Sequence, residues 1–147
     1  MGQFIIYRGA WVLLILCLLL TSCAKKPAYP DAPVSGETIT IDIKNLKESS
    51  PVFYSLLHNG KRIDFFVVKM NGDIQSYFDA CAKCYPEKLG YRVDGKYVVC
   101  KKCDIRYSFE SLKTGFGSCY PIALKGKTEG DKYIIDKKAV IEGEKFF

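Results

Sequence analysis

The chain has 147 residues, a formal net charge of +6 and one histidine. Its basic residues are scattered as Lys25-Lys26, Lys61-Arg62, Lys101-Lys102 and Lys137-Lys138, without a long run. That pattern speaks against nucleic acid as a partner and for a solvated surface that favours anionic headgroups or an acidic protein. No nucleophile-base pair, phosphate loop or acid-base couple is legible, so enzymatic turnover has no support.

At the N-terminus, Arg8 precedes an unbroken apolar stretch of eleven residues from Ala10 to Leu20. As a helix this stretch rises about 16 Å, roughly half a bilayer core, which suits a secretion signal better than a permanent span. Leu20-Thr21-Ser22-Cys23 resembles the lipobox of bacterial lipoproteins, in which the cysteine is acylated and becomes the mature N-terminus. The expectation is therefore a lipoprotein signal peptide over residues 1–22 and a lipid anchor on Cys23, which fastens the protein to a membrane without spanning it. This places it in the cell envelope on the extracytoplasmic side. Removal of residues 1–22 leaves 125 residues and a charge of +5, enough for one domain with a modest core.

Residues 23–36 carry the lipidated cysteine and a segment rich in Pro, Lys and Ala without periodicity, the composition of a stiff, solvated tether. The domain is expected over 37–147. Ile39, Ile41 and Ile43 alternate with Thr40 and Asp42 as in a half-buried strand. Val52 to Leu57 and Arg62 to Met70 flank Asn59-Gly60, and Asn71-Gly72 leads into Asp73 to Phe78. Asn-Gly between apolar runs signals tight hairpins, so a meander of three or four antiparallel strands is expected. Tyr91 to Val99, folded at Asp94-Gly95, reads as another hairpin. Ile105 to Phe109, Pro121 to Leu124, Tyr133 to Ile135 and Ala139 to Ile141 are short strand candidates, and Ser111 to Thr114 suggests a helical turn. The fold class is mainly β, a small antiparallel sandwich or barrel carrying a two-knuckle metal site, Rieske-like or zinc-ribbon-like.

Of seven cysteines, Cys17 leaves with the signal and Cys23 is consumed by lipid, so five remain: Cys81, Cys84, Cys100, Cys103 and Cys119. An odd count argues against a pure disulfide framework. Cys81/Cys84 and Cys100/Cys103 stand as C-x2-C-x15-C-x2-C, the spacing of a four-thiolate metal site, and the hairpin between them can bring the pairs together. Two disulfides are the alternative, favoured by an oxidising compartment. Covalent haem is excluded because Tyr85 and Asp104, not histidine, follow the two pairs. His58 reads as an ordinary strand residue. Cys119 is open to three readings, namely an additional metal ligand, a resolving thiol, or a buried cysteine in a tight turn, and a place near the centre is favoured.

The block Tyr77-Phe78-Asp79-Ala80-Cys81-Ala82-Lys83-Cys84 is followed by Gly90-Tyr91-Arg92, Val98-Val99-Cys100-Lys101-Lys102-Cys103, Arg106-Tyr107-Ser108-Phe109 and Gly117-Ser118-Cys119-Tyr120-Pro121-Ile122-Ala123-Leu124. Together these resemble the membrane iron-sulfur containing FtrD-like family, over about Thr38 to Phe147. The resemblance implies an iron-sulfur cluster held by the four knuckle cysteines, with Cys119 carried over as well. Some family members accompany ferrous-iron uptake systems, so membrane iron-uptake or redox components are the implied partners. The chain departs from the pattern at Tyr85 and Asp104, where many relatives have glycine. A weaker likeness to Rieske domains lies in the spacing of the pairs, although those centres use histidine beside cysteine.

Three functions follow from the sequence. The first is electron transfer or iron handling, with Tyr77, Phe78, Tyr85, Tyr107, Phe109 and Tyr120 as a dry surround and Lys101-Lys102 favouring the more negative state. The second is a structural zinc module, since a chain exported unfolded acquires one zinc ion more readily than an assembled cluster. The third is thiol-disulfide exchange through one C-x2-C pair.

Overall fold

The computed structural model describes residues 29–147; the expected signal peptide, the lipobox-like segment and Cys23 lie outside the described residues. Among the described residues eleven strands make three antiparallel sheets. They are β1 (Val34–Ser35), β2 (Thr38–Asp42), β3 (Val52–His58), β4 (Lys61–Met70), β5 (Asp73–Cys81), β6 (Tyr91–Asp94), β7 (Tyr97–Cys100), β8 (Arg106–Ser108), β9 (Pro121–Leu124), β10 (Gly126–Glu129) and β11 (Lys132–Asp136). One short helix, α1 (Lys137–Glu142), follows β11.

The central sheet runs β3-β4-β5-β9, an outer sheet runs β1-β2-β11-β10, and a third sheet runs β6-β7-β8. The central meander follows from its turns. Asn59 and Gly60 take φ of 48° and 77°, and Asn71 and Gly72 take 52° and 83°, the left-handed pairs that a two-residue hairpin needs. β4 is buried on both faces, because successive side chains of a strand point to opposite sides. Ile63, Phe65 and Val67 enter a core shared with Ile39, Ile41, Tyr133, Ile135 and Val140 from the outer sheet and α1. Phe66, Val68 and Met70 enter a second core, shared with Tyr91, Val98 and Tyr107 of the third sheet. The result, among the described residues, is a three-layer sandwich in which no barrel closes.

The same alternation positions the site. Along β5, Phe78 and Ala80 face the first core, whereas Tyr77 and Cys81 face the second. Cys81 is thereby delivered to the third sheet, whose β7 ends on Cys100.

The structure departs from expectation in several places. Ala139 to Ile141 is helical, because the Asp136 side chain accepts a hydrogen bond from Lys138 N at 2.8 Å and caps a helix that seats Val140 in the first core. Gly126–Glu129 is a strand that its exposed, apolar-poor sequence conceals; pairing with β11 creates it. Residues 29–36 do not behave as free tether: Ala32 N donates to Ser55 O at 2.8 Å, Ser55 N donates to Pro30 O at 2.9 Å, and Val34–Ser35 pairs with β2. The helical turn expected at Ser111 to Thr114 forms slightly earlier, as a 3-10 turn over Phe109–Leu112. The hairpin after Tyr91 turns at Gly95 and Lys96, since Asp94 pairs with Tyr97.

Candidate metal centre

Each cysteine pair sits where a strand ends. β5 stops at Cys81, and Cys84 opens a 3-10 turn, Tyr85–Glu87. β7 stops at Cys100, whose carbonyl accepts from Asp104 N at 2.9 Å and so folds Lys101 to Cys103 into a tight loop. Asp104 takes a φ of 57°, a left-handed conformation that glycine adopts without strain. The departure from the family pattern at this position therefore keeps the backbone shape while changing the residue. Arg92 holds the Asp104 carboxylate at 2.8 Å.

The two loops meet through the third sheet. Tyr91 stands directly opposite Cys100 in the β6-β7 ladder, and Lys101 N donates to Gly90 O at 3.0 Å. Asp79, 2% exposed, accepts from Tyr91 N at 2.6 Å and from the Tyr29 hydroxyl at 3.2 Å, joining β5 to β6. Gly90 allows this approach: with φ of 68°, an added Cβ would lie 2.4 Å from Asp79 Oδ2.

Cys119 arrives from the other side. The β5-β9 register shifts between Tyr77 and Cys81, a bulge that brings Cys81 opposite Pro121, and Ala82 N donates to Tyr120 O at 2.9 Å. Upstream, Phe116 and Cys119 exchange backbone hydrogen bonds of 2.8 and 3.0 Å around Gly117-Ser118.

The five cysteines among the described residues are all free thiols. The sulfurs of Cys81, Cys84 and Cys100 lie within 4.8 Å of one another, and so do those of Cys84, Cys103 and Cys119. The arrangement is thus two triads that share Cys84, with Cys119 among the converging sulfurs. Cys81, Cys100 and Cys119 are buried, Cys84 is half-buried and Cys103 is exposed. His58 closes β3 beside Asn59 at 3.1 Å and belongs to neither triad.

The electrostatics divide the thiols. Burial pushes Cys81 up, but backbone N–H groups of Cys84 and Lys83, the Tyr91 hydroxyl and the Cys84 thiol outweigh it and hold the group below its ordinary value. At Cys103, burial is likewise outweighed by the Ile105 N–H and by neighbouring thiols. Cys100 is pushed up to about 11 by burial, against the opposing N–H groups of Cys103 and Lys102. Burial and the neighbouring thiols also raise Cys84 and Cys119. Both knuckles therefore aim two backbone N–H groups at their first sulfur, the arrangement that stabilises a metal-bound thiolate. Five convergent soft donors suit iron-sulfur or zinc chemistry and not hard cations.

The expected aromatic surround is reassigned by strand alternation. Tyr77, Tyr107 and Phe109 pack in the cysteine-bearing core. Phe78 points to the opposite core, and Tyr85 and Tyr120 are 36% and 44% exposed. Phe66 and Tyr91 take their places, with ring centroids 6.2 Å apart. Their signals were present in the sequence as β4 and β6 periodicity, but which face met the cysteines required the pairing. Lys102 is ion-paired with Glu87 at 3.1 Å, which offsets the positive charge expected of the second knuckle.

Among the described residues no helix is long and apolar enough to cross a membrane. No curated protein and no solved structure matches the chain significantly. The family model for membrane iron-sulfur containing proteins, FtrD-like, matches residues 46–147, which takes in both knuckles, Cys119 and all of the central sheet from β3 onward. By this match and by its cluster of five thiols, the chain belongs to the FtrD-like family of membrane iron-sulfur containing proteins.

Proposed function

We propose that this protein is a lipid-anchored electron carrier of the cell envelope, serving membrane iron handling through an iron-sulfur centre. Cys81, Cys84, Cys100 and Cys103 are its ligands in this reading, and Cys119 stands beside them. The observation that carries it is the convergence of five free thiols from three separate chain segments at one end of a sandwich. Such a centre, when bound, takes up and releases single electrons. The residues of the chain do the rest. Backbone N–H groups at 83, 84, 102 and 103 stabilise thiolate charge, and Phe66, Tyr77 and Phe109 keep the inner side dry. Cys103 lies at the exposed edge, the side from which a partner can approach. Anchorage through Cys23 rests on Leu20-Thr21-Ser22 before it.

Domain prepared without oxygen should be brown, contain iron and acid-labile sulfide, and lose its visible band on reduction. Cys81→Ala should abolish the colour, while Cys119→Ala should retain a centre of shifted potential. Colourless protein carrying one zinc per chain after iron-replete expression in the native envelope would overturn the electron-transfer reading in favour of a structural zinc module. Colour retained in Cys81→Ala would transfer the fourth ligand position to Cys119. Cys23→Ala should release the protein from membranes, and lipid labelling that persists in that variant would refute the anchor.

A further inference from the structure

Buried polar groups in folded proteins almost always find a partner, so an orphan calls for an explanation. Other tyrosine hydroxyls of the sandwich meet the rule. Tyr133 is paired with Ser76 at 3.0 Å, Tyr77 donates to Gln75 Oε1 at 2.5 Å, and Tyr29 donates to Asp79 at 3.2 Å. Tyr91 and Tyr107 do not: their hydroxyls are shut away from solvent and close no hydrogen bond of normal geometry. Both residues are 1% exposed, and their rings meet edge to face at 6.2 Å.

Their placement is specific. Tyr91 lies opposite Cys100 in the β6-β7 ladder, and Tyr107 lies opposite Val98, two residues before Cys100. Both belong to the core that contains Cys81, Cys100 and Cys119. After burial itself, the Cys81 sulfur is the group that acts most strongly on both the Tyr91 and the Tyr107 hydroxyl. Two O–H donors are thus stored in the core that holds three of the converging cysteines.

We infer that the Tyr91 and Tyr107 hydroxyls are positioning and tuning donors, which hydrogen-bond to sulfur of the loaded centre and raise its reduction potential. The inference rests on the iron-sulfur reading above. A hydrogen bond to sulfur withdraws charge, and the reduced state carries one more negative charge, so the bond favours reduction. It also supplies the partners that the two hydroxyls otherwise lack, which offsets the cost of burying them.

Tyr91→Phe and Tyr107→Phe remove one oxygen each and keep the ring. In the anaerobically prepared protein, each variant should retain wild-type iron and sulfide content. The midpoint potential should fall by about the equivalent of a tenfold change in the reduction equilibrium, 59 mV for one electron. Tyr133→Phe, whose hydroxyl bonds within the opposite core, should leave the potential in place. Unchanged potentials in both variants, with iron and sulfide intact, would overturn the inference and leave the iron-sulfur reading standing. A wild-type protein that carries zinc and no iron would overturn that reading, and the inference with it.

Discussion

The two faces of the central sheet are built on different principles. The face toward the outer sheet is closed by Ile39, Ile41, Ile63, Phe65, Val67 and Ile135, all nearly or fully buried, and its Ser76 and Tyr133 hydroxyls are hydrogen-bonded to each other. The face toward the third sheet mixes Phe66, Val68 and Val98 with three cysteines and two tyrosine hydroxyls that close no hydrogen bond of normal geometry. Burying one large apolar side chain contributes about 1.5–3 kcal/mol, so the first face stands chiefly on hydrophobic packing. The second buries thiols and hydroxyls, whose stabilisation depends on what the sulfurs hold. One β4 strand serves both, which ties a hydrophobic layer to one whose stability is expected to follow its metal.

The sharpest way to break the comparison is to damage the hydrophobic layer. Phe65→Ala should cost about 3–5 kcal/mol in denaturant unfolding and destabilise both faces together, since its strand is common to them. Removal of the metal should instead act on one face. At a metal concentration a thousandfold above its dissociation constant, linkage predicts a loss of about 4 kcal/mol. Amide exchange should rise first in β6, β7 and β8 while β2 and β11 stay protected; uniform loss of protection would show that the layers are not separable. Cys100→Ser should lower both metal content and melting temperature, and the metal-free wild type should melt at the temperature of that variant.

Gly90→Ala tests the seam between β5 and the knuckles. The new Cβ would press on the Asp79 carboxylate at 2.4 Å in a left-handed backbone, at a cost of about 1–3 kcal/mol together with weakened metal retention. Metal retention at the wild-type level would show that Asp79 does not position the loops. The smallest effect is expected far from the site. Asp136→Ala removes the cap of α1 and should cost about 1 kcal/mol in thermal unfolding without changing metal content.

Much of this protein was legible in its residues. The Asn-Gly turns and alternating runs specify the β3-β4-β5 meander, because hairpin geometry depends on two adjacent residues and strand periodicity on every second one. The paired cysteines announce a thiolate site through spacing alone, since two sulfurs three positions apart converge without help from distant chain. What lay beyond the sequence was decided by long-range pairing. Gly126–Glu129 becomes a strand only because β11 presents an edge to it, and Ala139 to Ile141 becomes a helix because a cap and a core position await it. Phe78, expected beside the cysteines, turns away from them and Tyr91 turns toward them, because the facing of a strand is set by its neighbours. Cys119 joins Cys84 and Cys103 through the β5-β9 bulge. Local geometry is encoded within a few residues, whereas the partners of a face or of a sulfur are chosen by contacts between segments tens of residues apart, and only the folded chain makes that choice.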